Sequence, residues 1–334
     1  MRLSNVTPEC VVSVCIQTYQ HAPYIRECLD SVLKQKVNFP WEIIIGEDES
    51  TDGTREICIE YAKSYPNLIK LFLRSRKDVI YVDGKPTGRR NMIENIMAAE
   101  GKYIALLEGD DFWLDPHKLQ KQVDFLNSNP ECVACHHWHR YAVRDKETGE
   151  FIVVDAPKKG QGYYPERTAS VHAIFANLMR VKSRTIMFRN ILDIFPQWFY
   201  RVAYGDVALS MILGKYGDFG FIDEPMAVYR RTGQGVSAYN RANSRELYAH
   251  FLQWIRIWEW GVMHYGGQHF SVALKTIDSF YEVILSRTNY RLLICVKAAT
   301  FALCRSHFPV RIRVGVFFRV WRRFVKGRIV RNRR

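Results

Sequence analysis

Residues 11–46 read VVSVCIQTYQHAPYIRECLDSVLKQKVNFPWEIIIG, and this stretch decides the fold class. Its two ends, Val11–Ile16 and Glu42–Gly46, are short apolar runs typical of buried strands. Between them, apolar residues recur at the spacing of one buried helical face, at Ile25, Leu29, Val32 and Leu33. This order predicts a strand–helix–strand unit with two parallel strands.

The same alternation continues to about residue 130. Further strands are predicted at Leu68–Leu73 and Tyr103–Leu107, and helices after Gly53, over Asn91–Ala99 and from Pro116. We therefore expect an α/β fold with a Rossmann-like, mostly parallel sheet flanked by helices. Ligands of such sheets bind beyond the carboxyl ends of the strands.

The pattern changes in the second half of the chain. Asp155–Gly162 is predicted to be a mobile loop and Arg184–Arg189 a strand. Beyond Tyr239 the sequence becomes helical and aromatic. We expect one domain over residues 1–238 and a helical C-terminal region over 239–334 that ends in a basic extension.

Positive charge is concentrated at one end of the 334-residue chain, whose formal net charge is +14. Arg305 to Arg334 include 11 Lys or Arg and no acidic residue, which leaves about +3 for everything before them. Any affinity for polyanions therefore belongs to this tail. The chain starts without a secretion signal pattern, and its longest apolar run, Leu292–Cys304, is too short for a bilayer and includes Lys297, so we expect a cytoplasmic protein.

Polar residues follow three of the predicted strands. Gln17–Gln20 follow the first strand, Glu47–Thr54 the second and Glu108–Asp111 the fourth. Two acidic clusters at neighbouring strand ends would repel each other. A bound cation, together with hydrogen bonds to a ribose or a base, would offset that repulsion.

Four blocks in this order resemble family 2 glycosyltransferases, and together they span roughly residues 10–238. They are Val11–Tyr19, EDESTDGT from Glu47, KYIALLEGDDFW from Lys102, and Gly205-Asp206 with the later IDEPMAVYRR from Ile222. The resemblance implies a GT-A fold, in which a nucleotide-sugar-binding half merges with an acceptor-binding half. It also implies an inverting enzyme that moves a sugar from a nucleotide-sugar, commonly UDP-linked, in bacterial surface polysaccharide or lipopolysaccharide synthesis.

The resemblance also implies roles for individual residues on the nucleotide side. Thr18 and Tyr19 would line the base pocket, and Asp48 matches the carboxylate that hydrogen-bonds the base. Apart from the resemblance, Arg89, Arg90 and Asn91 precede the strand-four motif and are candidate phosphate or ribose contacts; their alternative is a solvated helix start.

On the metal side, Glu108 and Asp110 occupy the family's Asp-X-Asp motif, and Asp111 follows directly. Because the first position is Glu, Asp110 is the expected ligand of Mg²⁺ or Mn²⁺, which would neutralise the diphosphate. A His often follows the family's Tyr-Arg pair, but Thr232 stands here, and Arg230 or Arg231 is expected to meet the phosphates instead.

Asp206 matches the family's catalytic base. An acceptor hydroxyl is protonated at pH 7, so a carboxylate must take its proton during attack. A single base opposite the leaving group gives inversion, whereas a double displacement needs a second carboxylate as nucleophile. Asp206 could also simply begin a helix.

The tail predicts one amphipathic helix. Apolar residues form a single stripe at Val310, Val314, Phe317, Phe318, Trp321, Phe324 and Val325, with arginines on the other side. Such a helix over Val310–Val325 suits an anionic membrane surface, where it would hold the protein at the inner face near a glycan or lipid-linked acceptor. The alternative is that the stripe packs on the body and leaves the arginines in water.

Two other function classes stay open from the sequence. A nucleic-acid-binding protein could use the basic tail, although acidic strand ends argue against a nucleic acid partner. An inactive relative that binds a nucleotide-sugar without transfer is compatible with Thr232.

Overall fold

The computed structural model describes residues 9–155, 167–233 and 243–288, together with 296, 298–299, 302, 308 and 310–332. The chain divides into two compact units. The first consists of Met1–Ser170, Arg180–Arg201 and Tyr216–Gly233, and the second of Val171–Met179, Val202–Lys215 and Gln234–Arg334. Each unit is therefore assembled from three separate stretches of the chain.

All described strands belong to the first unit. They are β1 (Val12–Thr18), β2 (Trp41–Glu47), β3 (Ile69–Leu73), β4 (Ile80–Val82), β5 (Lys85–Thr87), β6 (Tyr103–Glu108), β7 (Phe112–Trp113), β8 (Cys132–Arg144), β9 (Phe151–Val154), β10 (Thr168–Ala169), β11 (Met187–Arg189) and β12 (Asp218–Arg230). The helices of this unit are α1 (Ile25–Leu33), α2 (Thr54–Ser64), α3 (Arg89–Met97) and α4 (Lys118–Ser128).

The main sheet has the strand order β10-β12-β8-β11-β6-β1-β2-β3. The strands β6, β1, β2 and β3 are parallel neighbours, as are β8 and β12, whereas β11 and β10 run antiparallel to their partners. The expected mostly parallel α/β sheet is confirmed, and the four predicted strands of the first half lie within two residues of their observed ends.

Alternation along β1 explains why helices cover both faces of the sheet. Val12, Val14 and Ile16 are fully buried and pack in one core with α1 and α4. Cys15 points to the opposite face, where its thiol donates to the carbonyl oxygen of Asn95 on α3. Successive residues of a strand face opposite sides, so one apolar run serves two helix layers.

Two predicted boundaries differ from the structure. Helix α4 starts at Lys118 rather than Pro116, because the Asp115 carboxylate accepts the backbone N–H of His117 and holds a turn ahead of the helix. Residues 183–185 form a 3₁₀ turn, and only Met187–Arg189 of the predicted strand is extended. The predicted loop Asp155–Gly162 lies outside the described residues apart from Asp155.

The second unit is helical where it is described. It comprises α5 (Val171–Phe175), α6 (Gly205–Leu213), α7 (Ser244–His264), α8 (Phe270–Arg287) and α9 (Val310–Asn332). Trp258 on α7 and Thr276 on α8 both donate hydrogen bonds to the Phe175 carbonyl at the end of α5. Tyr265 donates to the carbonyl of Met211 on α6. Residues distant in sequence thus build one helical core.

Helix α9 is confirmed, but its predicted single apolar stripe is wrong in detail. Phe324 is buried together with Val316 and Val320, whereas the remaining described stripe residues are partly or largely exposed. Arg319 and Arg323 form ion pairs with Asp278 and Glu282 of α8. These ion pairs fix the rotation of the helix, because the arginine side must face α8.

Among the helices of the described residues, none combines the length and the apolar character needed to cross a membrane.

Candidate active site

The parallel pairing of β1 with β2 and β6 brings the predicted acidic clusters to one edge of the sheet. Thr18 is opposite Glu47 of β2, and Gln17 is opposite Glu108 of β6. A Cβ atom at Gly109 would lie 2.5 Å from the Thr18 hydroxyl oxygen, so the loop after β6 contacts the end of β1 directly. The sequence prediction that these strand ends meet is therefore confirmed as geometry.

The loops after β1 and β2 are joined by reciprocal hydrogen bonds. The Gln20 amide oxygen accepts the Thr51 N–H at 3.0 Å, and the amide nitrogen donates to the Thr51 hydroxyl at 3.1 Å. The backbone N–H groups of His21 and Ala22 donate to Thr54 and Asp52. Gln20 has a φ of 56°, a left-handed conformation that costs a side-chain-bearing residue free energy. The hydrogen bonds to Thr51 stabilise it.

Asp48, the predicted base contact, lies beside Arg76, Tyr19 and a cavity. It is buried, and its carboxylate accepts a hydrogen bond from Arg76 at 2.9 Å. The Arg76 guanidinium also lies over the ring of Tyr19, 3.8 Å from its centroid. Burial raises the pKa of Asp48 above its ordinary value, and Arg76 counteracts that effect. A hydrogen-bond acceptor (Asp48), a donor (Arg76) and an aromatic ring (Tyr19) thus lie side by side.

Asn91 and Arg90 occupy different environments at the start of α3. Asn91 is buried, where its amide donates to the Gly46 carbonyl at 2.8 Å and accepts from Arg74 at 2.7 Å. Arg90 is exposed and pairs with Glu94. A cavity of about 140 Å³ adjoins Arg90 and is lined by Asp48, Arg74, Ser75, Asp78, Val79, Thr87, Arg90 and Glu94. Arg90 therefore faces a space beside Asp48, whereas Asn91 supports the sheet below it.

Three carboxylates that could hold a metal ion lie at the end of β6 and directly after it. Within the described residues, Glu108, Asp110 and Asp111 form the one group whose potential ligand atoms all lie within 4.8 Å of one another. Hard carboxylate oxygens are the ligands that Mg²⁺ and Mn²⁺ prefer. Burial raises the pKa of Asp110, with partial compensation from Arg184 and Arg230. A divalent cation would stabilise the charged form of such a buried carboxyl group.

Asp111 differs from the other two carboxylates in its hydrogen-bond partners. It is 1% exposed, and its two oxygens accept hydrogen bonds from the Arg230 backbone N–H at 2.9 Å and the Arg184 guanidinium at 3.3 Å. Burial raises its pKa well above the ordinary value, and Arg184 opposes this shift. Both oxygens are therefore engaged by the protein, which leaves Asp110 and Glu108 better placed for a ligand.

Arg230 braces the loop that holds these carboxylates. Its guanidinium donates to the Asp110 carbonyl at 3.0 Å and pairs with Glu27 of α1. The same group lies about 5 Å from the rings of Tyr24, Phe112 and Phe151. The guanidinium is committed to the protein, so the predicted phosphate contact of Arg230 stays a prediction.

Asp206 belongs to the second unit, in the first turn of α6. Its carboxylate accepts the N–H of Val207 at 2.9 Å, and it is partly exposed. A carboxylate in this position interacts favourably with the helix dipole. Asp206 therefore helps to begin helix α6, as the alternative interpretation of this residue predicts. Its catalytic role stays a prediction.

Two arginines of the site were not predicted from the sequence. Arg76 follows β3, a parallel strand of the same sheet. Ligands of such sheets bind beyond the carboxyl ends of the strands, so the position of Arg76 after β3 is a signal that the sequence offers. Arg184 reaches Asp111 only because β11 pairs with β6, a contact between distant residues that no local pattern indicates.

The family of the chain follows from comparison with known proteins. The sequence model of glycosyl transferase family 2 matches residues 13–180, half of the chain. This chain belongs to glycosyl transferase family 2. The matched segment contains Thr18, Asp48 and the Glu108–Asp111 cluster.

Two curated relatives of this family member share sequence with it. An uncharacterized protein of Mycobacterium tuberculosis is 32% identical over 243 residues, covering 68% of this chain and 61% of that protein. The putative teichuronic acid biosynthesis glycosyltransferase TuaG of Bacillus subtilis is 36% identical over 119 residues, covering 35% of this chain and 42% of TuaG. The chain thus spans less than two thirds of the length of both relatives.

A solved structure has the same fold. S. aureus TarS 1-349 in complex with UDP has a TM-score of 0.53 at 16% identity, over 93% of this chain and 80% of that chain. The same TarS fragment with UDP-GlcNAc has a TM-score of 0.52 at 17% identity, over 95% of this chain and 92% of that chain. At this identity the likeness establishes the GT-A fold alone.

Proposed function

We propose that this chain is a metal-dependent, inverting glycosyltransferase. It would transfer a sugar from a nucleotide-sugar to a hydroxyl of a glycan or lipid-linked acceptor in surface polysaccharide or lipopolysaccharide synthesis. The observation that carries the proposal is the meeting of Asp48 and Tyr19 with Glu108 and Asp110 at the carboxyl ends of β1, β2 and β6. One edge of the sheet thus offers a base site and a cation site on adjacent strands.

The groups around Asp48 match the hydrogen-bonding pattern of uracil. Uracil presents an N3–H donor between two carbonyl acceptors; Asp48 can accept that N–H, and Arg76 can donate to a neighbouring carbonyl. The ring of Tyr19, which is 37% exposed, offers a stacking surface. The TarS complexes with UDP and UDP-GlcNAc support a UDP-linked donor.

Glu108 and Asp110 would hold Mg²⁺ or Mn²⁺, because their carboxylates are adjacent and hard oxygen ligands suit both ions. When bound, such an ion neutralises charge on the diphosphate leaving group. Asp111 is assigned a positioning role, since Arg184 and the Arg230 backbone engage both of its oxygens. Arg230 fastens this loop to α1 and so keeps Asp110 directed at the ligand.

Asp206 would act as the general base. The acceptor oxygen forms a bond to the anomeric carbon, the bond from that carbon to the diphosphate oxygen breaks with its electron pair, and the acceptor proton passes to the Asp206 carboxylate. A single displacement inverts the anomeric configuration. The relationship to TuaG supports a cell-surface glycan as the acceptor class.

The first experiment is a screen of UDP-, GDP- and dTDP-sugars for release of nucleoside diphosphate with Mn²⁺, with Mg²⁺ and with a chelator. We expect release with a UDP-sugar that the chelator abolishes. Binding of UDP and Mn²⁺ without release under any condition, across a panel of polysaccharide acceptors, would favour the inactive-relative hypothesis. Binding of single-stranded DNA with no response to any nucleotide would favour the nucleic-acid hypothesis.

Replacing Asp206 tests the base assignment. Asp206→Asn should lower turnover by about 10²–10⁴-fold, because the amide cannot accept the acceptor proton. Thermal stabilisation by UDP and Mn²⁺ should persist, since the Asn amide oxygen can still accept the Val207 N–H and the proposed ligand contacts belong to other residues. Asp193→Asn, at an exposed carboxylate, is the matched control and should keep full activity. Unchanged turnover in Asp206→Asn would remove Asp206 from the mechanism.

A further inference from the structure

Helix α9 is docked on α8 through a small apolar row and two ion pairs. Val316, Val320 and Phe324 are at most 5% exposed and follow each other at intervals of four residues. Arg319 lies 2.9 Å from Asp278, and Arg323 lies 3.0 Å from Glu282. This face is fully explained by the contact between the two helices.

A second face of α9 exposes a continuous apolar row. The exposed fractions are 63% for Val310, 36% for Val314, 62% for Phe318, 40% for Trp321 and 41% for Val325. Because an α-helix turns about 100° per residue, these five positions fall within an arc of about 80°. Single exposed apolar residues are common on proteins, but a row of five that includes two aromatic residues is a feature of binding surfaces.

The surroundings of this row are cationic. Residues 305–334 contain 11 Lys or Arg and no Asp or Glu. The acidic groups of α8 neutralise Arg319 and Arg323, whereas Arg322, next to Trp321, is exposed. A partner that fits this face must therefore accept apolar side chains and carry negative charge.

We propose that α9 is a docking surface for an anionic lipid bilayer, on which the helix lies parallel to the membrane plane. Val310, Val314, Phe318, Trp321 and Val325 would enter the boundary between headgroups and acyl chains, and Arg322 would meet lipid phosphates. The aromatic rings suit this depth, because one region of the boundary is apolar and the next is polar. The helix is already folded against α8, so docking does not require it to form.

Two other occupants fit the face less well. A second copy of the chain would bring the same face against itself in a two-fold dimer, and that would oppose two basic segments without any acidic residue. A nucleic acid would match the charge and could stack on Trp321, but it offers no apolar environment to Val310, Val314 and Val325. The bilayer satisfies both the charge and the whole apolar row.

The docking surface lies on α9, which packs on α8, and it includes no residue of the proposed active site. Membrane docking is therefore a property additional to the proposed transfer reaction. It would hold an enzyme without a described membrane-spanning helix beside lipid-linked acceptors. Its test measures binding and not turnover, so failure of either proposal is visible separately.

Co-sedimentation of the full-length protein with vesicles tests the proposal. We expect binding to mixed phosphatidylglycerol–phosphatidylcholine vesicles to exceed binding to phosphatidylcholine vesicles by about tenfold or more, and to weaken with added salt. The double variant Phe318→Ser, Trp321→Ser should lose about tenfold or more of its affinity for the anionic vesicles. Its far-UV circular dichroism and unfolding temperature should match those of the wild type.

The matched control removes exposed apolar residues elsewhere. Ile194 is 79% exposed and Tyr216 is 58% exposed, so the Ile194→Ser, Tyr216→Ser variant should bind vesicles like the wild type. Equal binding by the Phe318/Trp321 variant and the wild type would overturn the proposal. The proposal would also be overturned if vesicles bound neither protein and the wild type formed a dimer that the variant could not form. The same holds if the wild type bound single-stranded DNA and the variant did not.

Discussion

At the residue scale, Asp110 combines a cost in stability with its proposed role in metal binding. Its side chain is 20% exposed, and this partial burial raises its pKa and disfavours the charged form. Asp115, four residues after Asp111, is the opposite case: burial alone would raise its pKa, but Lys121 and the His117 N–H lower it. The Asp115 carboxylate therefore already has a cationic partner, whereas a bound cation would stabilise the charged form of Asp110.

Asp110→Asn should therefore affect the apoprotein and the liganded protein in opposite directions. Without metal, the free energy of unfolding should rise by about 1 kcal/mol, because a buried charge is removed. The stabilisation that wild-type protein gains from Mn²⁺ and UDP should disappear. Differential scanning calorimetry with and without these ligands measures both effects. Asp115→Asn should instead destabilise the apoprotein and retain the ligand response; an unchanged response in Asp110→Asn would contradict the metal assignment.

Lys118 provides a second residue-scale prediction, through pH. It is fully buried, its amine donates to Gln122, and burial lowers its pKa from 10.5 to about 7. Between these two values the unfolded chain binds more protons than the folded chain, so stability contributed at this site rises with pH from about 7 to 10.5. Below about pH 7 the amine is protonated in both states, so the free-energy cost of burying its charge no longer changes with pH.

Lys118→Met should remove this pH dependence. We expect it to stabilise the protein by about 1–3 kcal/mol at pH 7 and to have a smaller effect near pH 10. Urea unfolding at several pH values measures the difference. A variant whose stability changes in parallel with the wild type across this range would show that the amine does not titrate there.

At the element scale, the approach of α3 to β2 is close enough to exclude any side chain at Gly46. A Cβ atom there would lie 1.8 Å from the Asn91 amide oxygen and 2.1 Å from the Arg74 guanidinium. Both groups belong to the hydrogen-bonded layer below the Asp48 loop. Packing of α3 thus helps to determine the position of the loop that carries Asp48, the proposed base contact.

Gly46→Ala should therefore destabilise the fold by about 1–3 kcal/mol and weaken UDP binding, because Arg74 and Asn91 must move apart. Chemical denaturation and calorimetric titration measure the two effects. Gly88→Ala is the control: a Cβ atom at this position meets nothing within 4 Å, so both quantities should remain near wild type. Wild-type stability in Gly46→Ala would contradict the close contact.

Prediction from sequence succeeded where the signal was local. The apolar runs of β1, β2 and β6 and the periodic face of α1 depend on neighbouring residues, and their polar ends located Asp48 and Asp110. The pairing of β11 with β6 and β8 joins residues 52 to 86 positions apart. The Arg184–Asp111 contact depends on that pairing, so no stretch of sequence indicates it.

At the scale of the whole molecule, the compact units do not follow one cut in the chain. Residues 171–179 and 202–215 belong with the helices after residue 234. Within that unit, Trp258 and Thr276 contact Phe175, and Tyr265 contacts Met211. The predicted boundary after residue 238 therefore separates α5 and α6 from the helices that cover them.

A fragment of residues 1–238 should consequently fail to unfold cooperatively, because α5 and α6 would expose their buried apolar side chains. We expect binding of a hydrophobic dye and a broad thermal transition by circular dichroism. The full-length chain under the same conditions is the control. A fragment with a sharp transition and no dye binding would establish the boundary after residue 238 as a true domain limit.

The reciprocal bonds between Gln20 and Thr51 have a consequence for redirecting donor choice. A chimera could take residues 47–54 from another transferase. Gln20, in its left-handed conformation, would then lie beside a loop from a different protein and could lose its hydrogen bonds to Thr51. If these loops bind the base as proposed, residues 17–22 and 47–54 must be exchanged together to change base preference. Libraries that exchange residues 17–22 together with 47–54 should yield folded clones far more often than libraries that exchange either stretch alone.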